Sequence, residues 1–377
     1  MDTSAFGPSE FLGLPGAVDG TGADAGVPAH YGNPLGEQRR LAESGAIVDL
    51  SNRAVLTISG PDRLSWLDSI SSQRLIGLAP GESSETLLLE ITGRLEHAVR
   101  LVDDGESLWL LVEAAEATGL VDFLNRMRFM LRVEVADRTA EFATIGSMAA
   151  DPPSGDAAVT WHDPWSSVSA GGHQYSRAQE HPAAGWTWSE TVIPRSALAA
   201  LAARVASGEL FAAGTLAVEA LRIAAWRPRF ATEVDEKTIP HELDWLRTAV
   251  HLNKGCYRGQ ETIAKVHNLG HPPRRLVMLH LDGSESALPG PGAAVSVERD
   301  GEQRVVGQIT SSAQHYELGP IALAVVKRST DAAAVLSVDA DGVHVAAAQE
   351  VIVPPDAGAE ANVPRLPRLG AVRRPAR

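Results

Sequence analysis

The sequence predicts an α+β fold that closes on a small antiparallel β domain. Three observations carry that prediction. Over the first two-thirds, short apolar runs of strand length mix with amphipathic helical stretches without the regular alternation of a doubly wound parallel sheet. After His271-Pro272-Pro273 the helical pattern stops and short strand-like runs recur at close spacing. Among those runs lie Asp282-Gly283, Asp300-Gly301 and Asp341-Gly342, pairs suited to tight hairpin turns.

Residues 1–32 are rich in Gly, Pro, Ala and Asp with little periodicity, and read as a flexible extension. Residues 33–270 read as the folded core, divided into two subdomains near 140–195. Ala54–Ile58 is a strand ended by Gly60-Pro61. Asp62 then caps a helix carrying Leu64, Trp66, Leu67 and Ile70. Thr86–Ile91 and Leu108–Val112 are strands on either side of Asp104-Gly105. Ala114–Arg128 is helical, with Leu120, Phe123, Leu124 and Met127 on one face. Asp151–Ala184 reads as a long loop with Trp161 and Trp165 as anchors. Residues 196–207 form an alanine-rich helix. Thr215 caps another, whose buried stripe is Ala217, Ala220, Leu221 and Ala224. Residues 271–353 supply strands at Leu276–Leu281, Ala294–Val297, Val305–Thr310, Ile321–Val326, Val335–Val338 and Val343–Val345, enough for a small barrel or sandwich. Residues 354–377 read as a basic disordered tail, with docking on an acidic partner as the alternative.

Composition narrows the function. A length of 377 residues implies two or three domains, and 44% hydrophobic residues can fill their cores. A formal charge of -14 disfavours nucleic acid as a partner. One cysteine excludes an intramolecular disulfide framework and a cluster held by four cysteines of one chain. It also fits a reducing compartment. No run approaches the roughly 20 apolar residues of a membrane helix, and no signal peptide is evident, so the expected location is cytoplasmic with no membrane partner. No phosphate-binding loop, dinucleotide fingerprint or zinc-ligand spacing occurs, so no metal is expected on the monomer.

The most specific segment is Lys254-Gly255-Cys256-Tyr257-Arg258-Gly259-Gln260-Glu261, which holds the single cysteine. Nearby cations favour the nucleophilic thiolate, so Lys254 and Arg258 flank a candidate reactive group. The alternative is a turn whose cysteine is a small buried hydrophobe. Gly255 and Gly259 permit unusual backbone geometry, and Tyr257, Gln260 and Glu261 are expected to brace the loop. Lys254, Arg258, Lys265, Arg274 and Arg275, with His267 and His271, gather positive charge here. They form either a solvated basic patch or a mouth for an anionic ligand.

This segment resembles the signature of the YgfZ family, folate-binding relatives of the glycine-cleavage T-protein that support iron–sulfur cluster assembly. Gly45–Ser51, Ile58–Arg63, Ala220–Ala225 and Thr238–Leu243 resemble other parts of the same fold, so the similarity spans roughly residues 35–350. The resemblance implies a T-protein-like, folate-binding α+β fold with a C-terminal antiparallel β-barrel. It implies tetrahydrofolate or a one-carbon derivative as cofactor, and iron–sulfur client or assembly proteins as partners. Cys256 and Lys254 would be the catalytic pair. Asp49, Arg53, Arg222, Trp226 and Glu242 would be folate contacts, although a structural turn for Asp49 and a surface salt bridge for Arg222 are the more ordinary roles, and core packing for Trp226 and a surface carboxylate for Glu242 are the alternatives. Two departures stand out. The Gly-Gly-Xaa-Xaa-Asp-Asp-like segment of T-proteins is Gly93–Ala98 here, with His97 and Ala98 at the aspartate pair. The glutamate of the central helix end is Ala224, followed by Trp226. The first reading is therefore a YgfZ-like factor. The alternatives are a folate-dependent aminomethyl- or methyltransferase and a non-catalytic folate-binding scaffold.

Overall fold

The computed structural model describes residues 7–150, 157–284, 287–299 and 301–361. In chain order the first elements are β1 (Val18–Asp19), β2 (Pro28–His30), α1 (Pro34–Ala42), β3 (Ile47–Asp49), β4 (Ala54–Ser59) and α2 (Arg63–Ile70). Next come β5 (Ser83–Leu89), β6 (Leu95–Asp103), β7 (Ser107–Val112), α3 (Ala114–Met127), β8 (Glu134–Asp137), β9 (Phe142–Ser147) and β10 (Val159–His162). They are followed by β11 (Ser189–Pro194), α4 (Leu198–Ala206), β12 (Ala212–Ala213), α5 (Thr215–Ala224), α6 (Phe230–Glu233) and α7 (Gln260–Leu269). The last part holds β13 (Arg274–Leu281), β14 (Ala294–Arg299), β15 (Glu302–His315), β16 (Gly319–Lys327), β17 (Leu336–Ala340) and β18 (Val343–Val351).

One five-stranded antiparallel sheet has the order β5-β6-β7-β4-β8. Its strands alternate between two cores, as a period of two requires. Leu108, Leu110 and Val112 of β7 face α2 and α3, while Trp109 and Leu111 face the central core. A second sheet has the order β10-β11-β9-β3-β12, antiparallel except where β12 joins β3. The C-terminal strands close a barrel in the order β13-β16-β15-β14-β17-β18. The expected choice between barrel and sandwich is thus resolved as a closed barrel, which leaves no free sheet edge. Val277, Leu279 and Leu281 of β13 fill it, and Leu276 and Met278 point into the central core. Burial on both faces explains why this strand reads as an unbroken apolar run. Asp341 and Gly342 both have positive φ at the β17–β18 turn, as a type I′ hairpin needs. Asp300 lies outside the described residues.

Several expectations are corrected. Residues 7–32 are packed, not a flexible extension: Phe11 is fully buried against β3, β9, β11 and α4, and Ser9 hydrogen-bonds Asp49. The apolar Phe11-Leu12 pair gives this segment the core anchor that composition obscures. Residues 354–361 are also docked, with Ala357 buried and the Glu360 N–H donating to the His267 carbonyl. The rest of the expected tail, 362–377, lies outside the described residues. β6 pairs between the two strands expected around Asp104-Gly105. Asp62 precedes α2 but makes no capping bond, because Arg132 takes its carboxylate. Gly214, not Thr215, is the N-cap of α5. Within the long 151–184 stretch a short strand, β10, pairs with β11, and Trp161 and Trp165 are buried as the expected anchors.

Candidate functional site

The loop carrying Cys256 is held at nearly every residue except the cysteine. Lys254 Nζ donates to the carbonyls of Asp68, Ser71 and Gln73, at 2.5, 2.9 and 2.7 Å. Burial pulls the Lys254 ammonium below the ordinary lysine range, against the nearby Asp68 carboxylate. Tyr257 is buried, with the Lys254 ammonium 5.4 Å from its ring centre. Arg258 Nη1 donates to Glu96 Oε2 at 2.6 Å. Gln260 Nε2 reaches back to the Lys254 carbonyl, and Glu261 lies in the first turn of α7, where the helix dipole favours a carboxylate. Gly259 starts that helix at φ 85°, and a Cβ there would lie 2.6 Å from the Glu90 carbonyl oxygen. Cys256 and Gly255 are exposed. The buried-hydrophobe reading of the thiol is thereby removed. Lys254 and Arg258, expected to supply charge to the thiol, have their cationic groups committed to backbone carbonyls and to Glu96.

The expected basic mouth is largely neutralised within the fold. Arg274 pairs with Asp235 and Glu242, and Arg275 is buried against the Thr330 carbonyl and Gln349. His267 and His271 bond Tyr175 and the Ala357 carbonyl. Lys265 is exposed.

A second site lies between the two sheets and α5. It is a narrow cleft, partly open to solvent. Its lining includes five arginines (Arg53, Arg100, Arg222, Arg227, Arg229) and six carboxylates (Glu85, Glu113, Glu116, Asp163, Glu190, Glu219). Trp161, Trp186, Trp188, Phe230 and Trp245 supply apolar wall. Buried charges need partners, and here they cross-link the elements. Arg227 bridges Glu85 and Asp163. Arg229 joins Asp24, Glu113 and Glu219, and Arg222 joins Glu219 and Glu233. Arg53 and Arg100 share Glu190 Oε1 at 2.6 and 2.8 Å. Burial alone would raise Glu219, but Arg222 and Arg229 outweigh it and hold the carboxyl at about 2. Glu190 is likewise held low by Arg100 and Arg53 against its burial. Glu116 goes the other way: burial pushes it up, and a contact with His97 Nδ1 at 3.3 Å only partly offsets this.

The cavity and the thiol loop share β6. Ala98, Val99 and Arg100 line the cavity, while Glu96 in the same strand holds Arg258. The turn before β6 packs on the loop, since a Cβ on Gly93 would meet Thr262 at 2.7 Å.

Of the five expected folate contacts, the structure brings Arg53 and Arg222 to this cavity. Arg222 is buried in its ion-pair network, so the ordinary surface role is corrected. Trp226 is buried at φ 58°, with its indole N–H 3.1 Å from Met278 Sδ, and fills core instead. Asp49 is buried and accepts from Ser9 and the Ser51 N–H. Glu242 is fully buried and clamped by Arg274. These three are structural and do not line the cavity. Sequence reasoning missed Glu113, Glu116, Glu190, Arg227 and Arg229. A run of Arg227-Pro228-Arg229 just after a buried helix was the available signal. Among the described residues no group of three metal-ligating side chains occurs, and no helix is long and apolar enough to cross a membrane.

Comparison with known proteins agrees with this architecture. Residues 274–355 match the glycine cleavage T-protein C-terminal barrel domain. The chain is 25% identical over 335 residues to a putative chloroplastic transferase of Arabidopsis thaliana, covering 83% of this chain and 73% of that one. It is 25% identical over 303 residues to an aminomethyltransferase of Symbiobacterium thermophilum, covering 76% and 79%. The crystal structure of the glycine cleavage system aminomethyltransferase T from Bartonella henselae superposes with a TM-score of 0.71. It shares 17% identity and covers 92% of this chain and 96% of its own. The fold is that of a T-protein, and the chain is glycine-cleavage T-protein-like.

Proposed function

We propose that this T-protein-like chain binds tetrahydrofolate or a one-carbon derivative, and that it supports assembly or repair of iron–sulfur proteins in the manner of YgfZ proteins. The observation that carries this reading is the contrast within the signature loop. Every anchor of the loop is spent on holding it still, and the single thiol is displayed to solvent. A rigid, exposed thiol suits contact with another protein. With no second cysteine in the chain, a cluster would be held by the client.

The cavity's residues fit a folate. Its aromatic walls suit a flat ring, and three of its buried polar atoms have no partner among the described residues. When bound, the folate would supply the one-carbon chemistry. The chain's own residues bind and orient it, with Arg53 and Arg222 in the wall. His97 and Ala98 at the aspartate-pair position weigh against ordinary aminomethyl transfer.

The test is rescue of an iron–sulfur enzyme in cells lacking their own YgfZ-like protein. The wild-type chain should restore activity, and Cys256→Ala should be soluble, fold normally and fail. Equal rescue by Cys256→Ala removes the thiol from the function. A second reading, aminomethyl transfer, is favoured by the relatives named aminomethyltransferase and by a buried carboxylate, Glu116, beside Ala98. Tetrahydrofolate-dependent turnover of an aminomethyl donor by the purified protein would establish it, and its absence would dismiss it.

A further inference from the structure

The thiol loop rests on three neighbouring segments, and each of them also exposes apolar surface. Asp68 of α2 links the first: its carboxylate lies 3.4 Å from Lys254 Nζ and accepts the Leu75 and Ile76 N–H groups at 2.7 and 3.3 Å. The second is the turn 90–94, whose Glu90 carbonyl and Gly93 backbone abut Gly259. The third is the end of α3, where the Arg258 guanidinium lies 5.8 Å from the Phe123 ring centre.

Ile76 is 58% exposed, Ile91 78%, Phe129 86% and Met130 84%, and Met127 and Leu131 are exposed beside them. Solitary exposed apolar residues are ordinary, whereas clustered ones mark interaction surfaces. Of the 17 large apolar side chains exposed among the described residues, six belong to segments 73–76, 90–94 and 123–131. The turn after α3 is held in this display. Trp66 Nε1 donates to the Met127 carbonyl, and Asp62 accepts from both the guanidinium and the backbone N–H of Arg132.

Charge on these segments runs against the chain's net -14. Arg74, Arg94, Arg126 and Arg128 have no ion pair among the described residues, and Glu90 is the one carboxylate there without one. Glu261, on α7 beside the loop, is exposed as well.

We infer that the face around Cys256 is a docking surface for an acidic protein, one that presents an apolar patch rimmed by carboxylates. The inference rests on the proposed iron–sulfur function and identifies that partner as the client brought to the thiol. Apolar burial on Ile76, Ile91 and the turn after α3 would hold the client, and the unpaired arginines would orient it. A second copy docked face to face would set these arginines against their own counterparts. An anionic lipid surface would repel the acidic remainder of the chain.

Rescue of an iron–sulfur enzyme in cells lacking their own YgfZ-like protein is again the assay. Ile91→Asp with Phe129→Asp removes the apolar centre, and aspartate tolerates the left-handed φ of 44° found at Phe129. This double variant should rescue no better than Cys256→Ala. Its unfolding midpoint, and the rate at which dithiodipyridine titrates Cys256, should match wild type. Arg74→Glu with Arg94→Glu should also lower rescue, and serves if the first variant does not fold. Full rescue by either folded variant overturns the docking surface and leaves the iron–sulfur reading standing. A changed thiol rate overturns it too, because the substituted residues would then be supports of the loop. Wild-type dimers in sedimentation that the first variant dissolves would assign the face to a second copy. Wild-type binding to phosphatidylglycerol vesicles, lost in that variant, would assign it to lipid. Either result overturns the client as occupant. Failure of the wild type to rescue overturns the iron–sulfur reading and this inference with it.

Discussion

Asp244 shows how a single residue can make stability depend on pH. It sits at φ 55°, is fully buried, and accepts the Tyr175 N–H through one oxygen while the other has no partner among the described residues. Burial raises its carboxyl from 3.8 to about 7, against that hydrogen bond and Arg247. The folded state therefore holds the proton more tightly than the unfolded chain. The group costs nothing below the unfolded value, and its cost grows as pH rises through about 4 to about 7. Asp244→Asn keeps the acceptor and tolerates the left-handed backbone. It should raise stability at pH 8 by up to roughly 4 kcal/mol and by less at pH 5. Urea unfolding at the two pH values checks this, and an equal effect at both would refute it. Residue identity was a mixed guide to the site. Arg53 and Arg222, named on the resemblance alone, both line the cavity. Asp49, Trp226 and Glu242 lie away from the cavity, held by Ser9, Met278 and Arg274, partners that no local pattern points to.

At the scale of elements, two glycines fix the meeting of a turn and a loop. Gly93 and Gly259 both have positive φ, and each would push a Cβ into the other segment. Gly259→Ala should destabilise the protein by about 1–3 kcal/mol, combining backbone strain with the clash at the Glu90 carbonyl. It should also impair rescue as Cys256→Ala does, because the loop that presents the thiol is displaced. A thermal midpoint and rescue both matching wild type would show that the contact is dispensable. The loop was legible because its glycines and cations are contiguous. The cavity was not, because β6, α3, β11 and α5 each contribute only a few of its residues.

Over the whole molecule, the N-terminal segment is a structural member. Phe11 is fully buried with Ile145, Ile193 and Leu198, and Arg229 ties Asp24 to Glu113 and Glu219. Phe11→Ala should cost about 3–5 kcal/mol of unfolding free energy, as large-to-small core changes do. Chemical denaturation measures it, and a loss below about 1 kcal/mol would return this segment to the status of an accessory arm.

Local pattern was enough for the α+β class, the C-terminal β domain and the thiol loop. Strand alternation, helical stripes and turn pairs such as Asp341-Gly342 are written in neighbouring residues, and so is the motif around Cys256. Only the tertiary structure decided which face of Lys254 and Arg258 their charges serve, and that a glycine- and proline-rich N-terminus is packed. Only it could set Glu116 on the cavity, beside Ala98 of β6. Charge pairing and burial depend on segments distant in the chain, such as Glu190 with Arg53 and Arg229 with Asp24, and no local periodicity encodes their meeting.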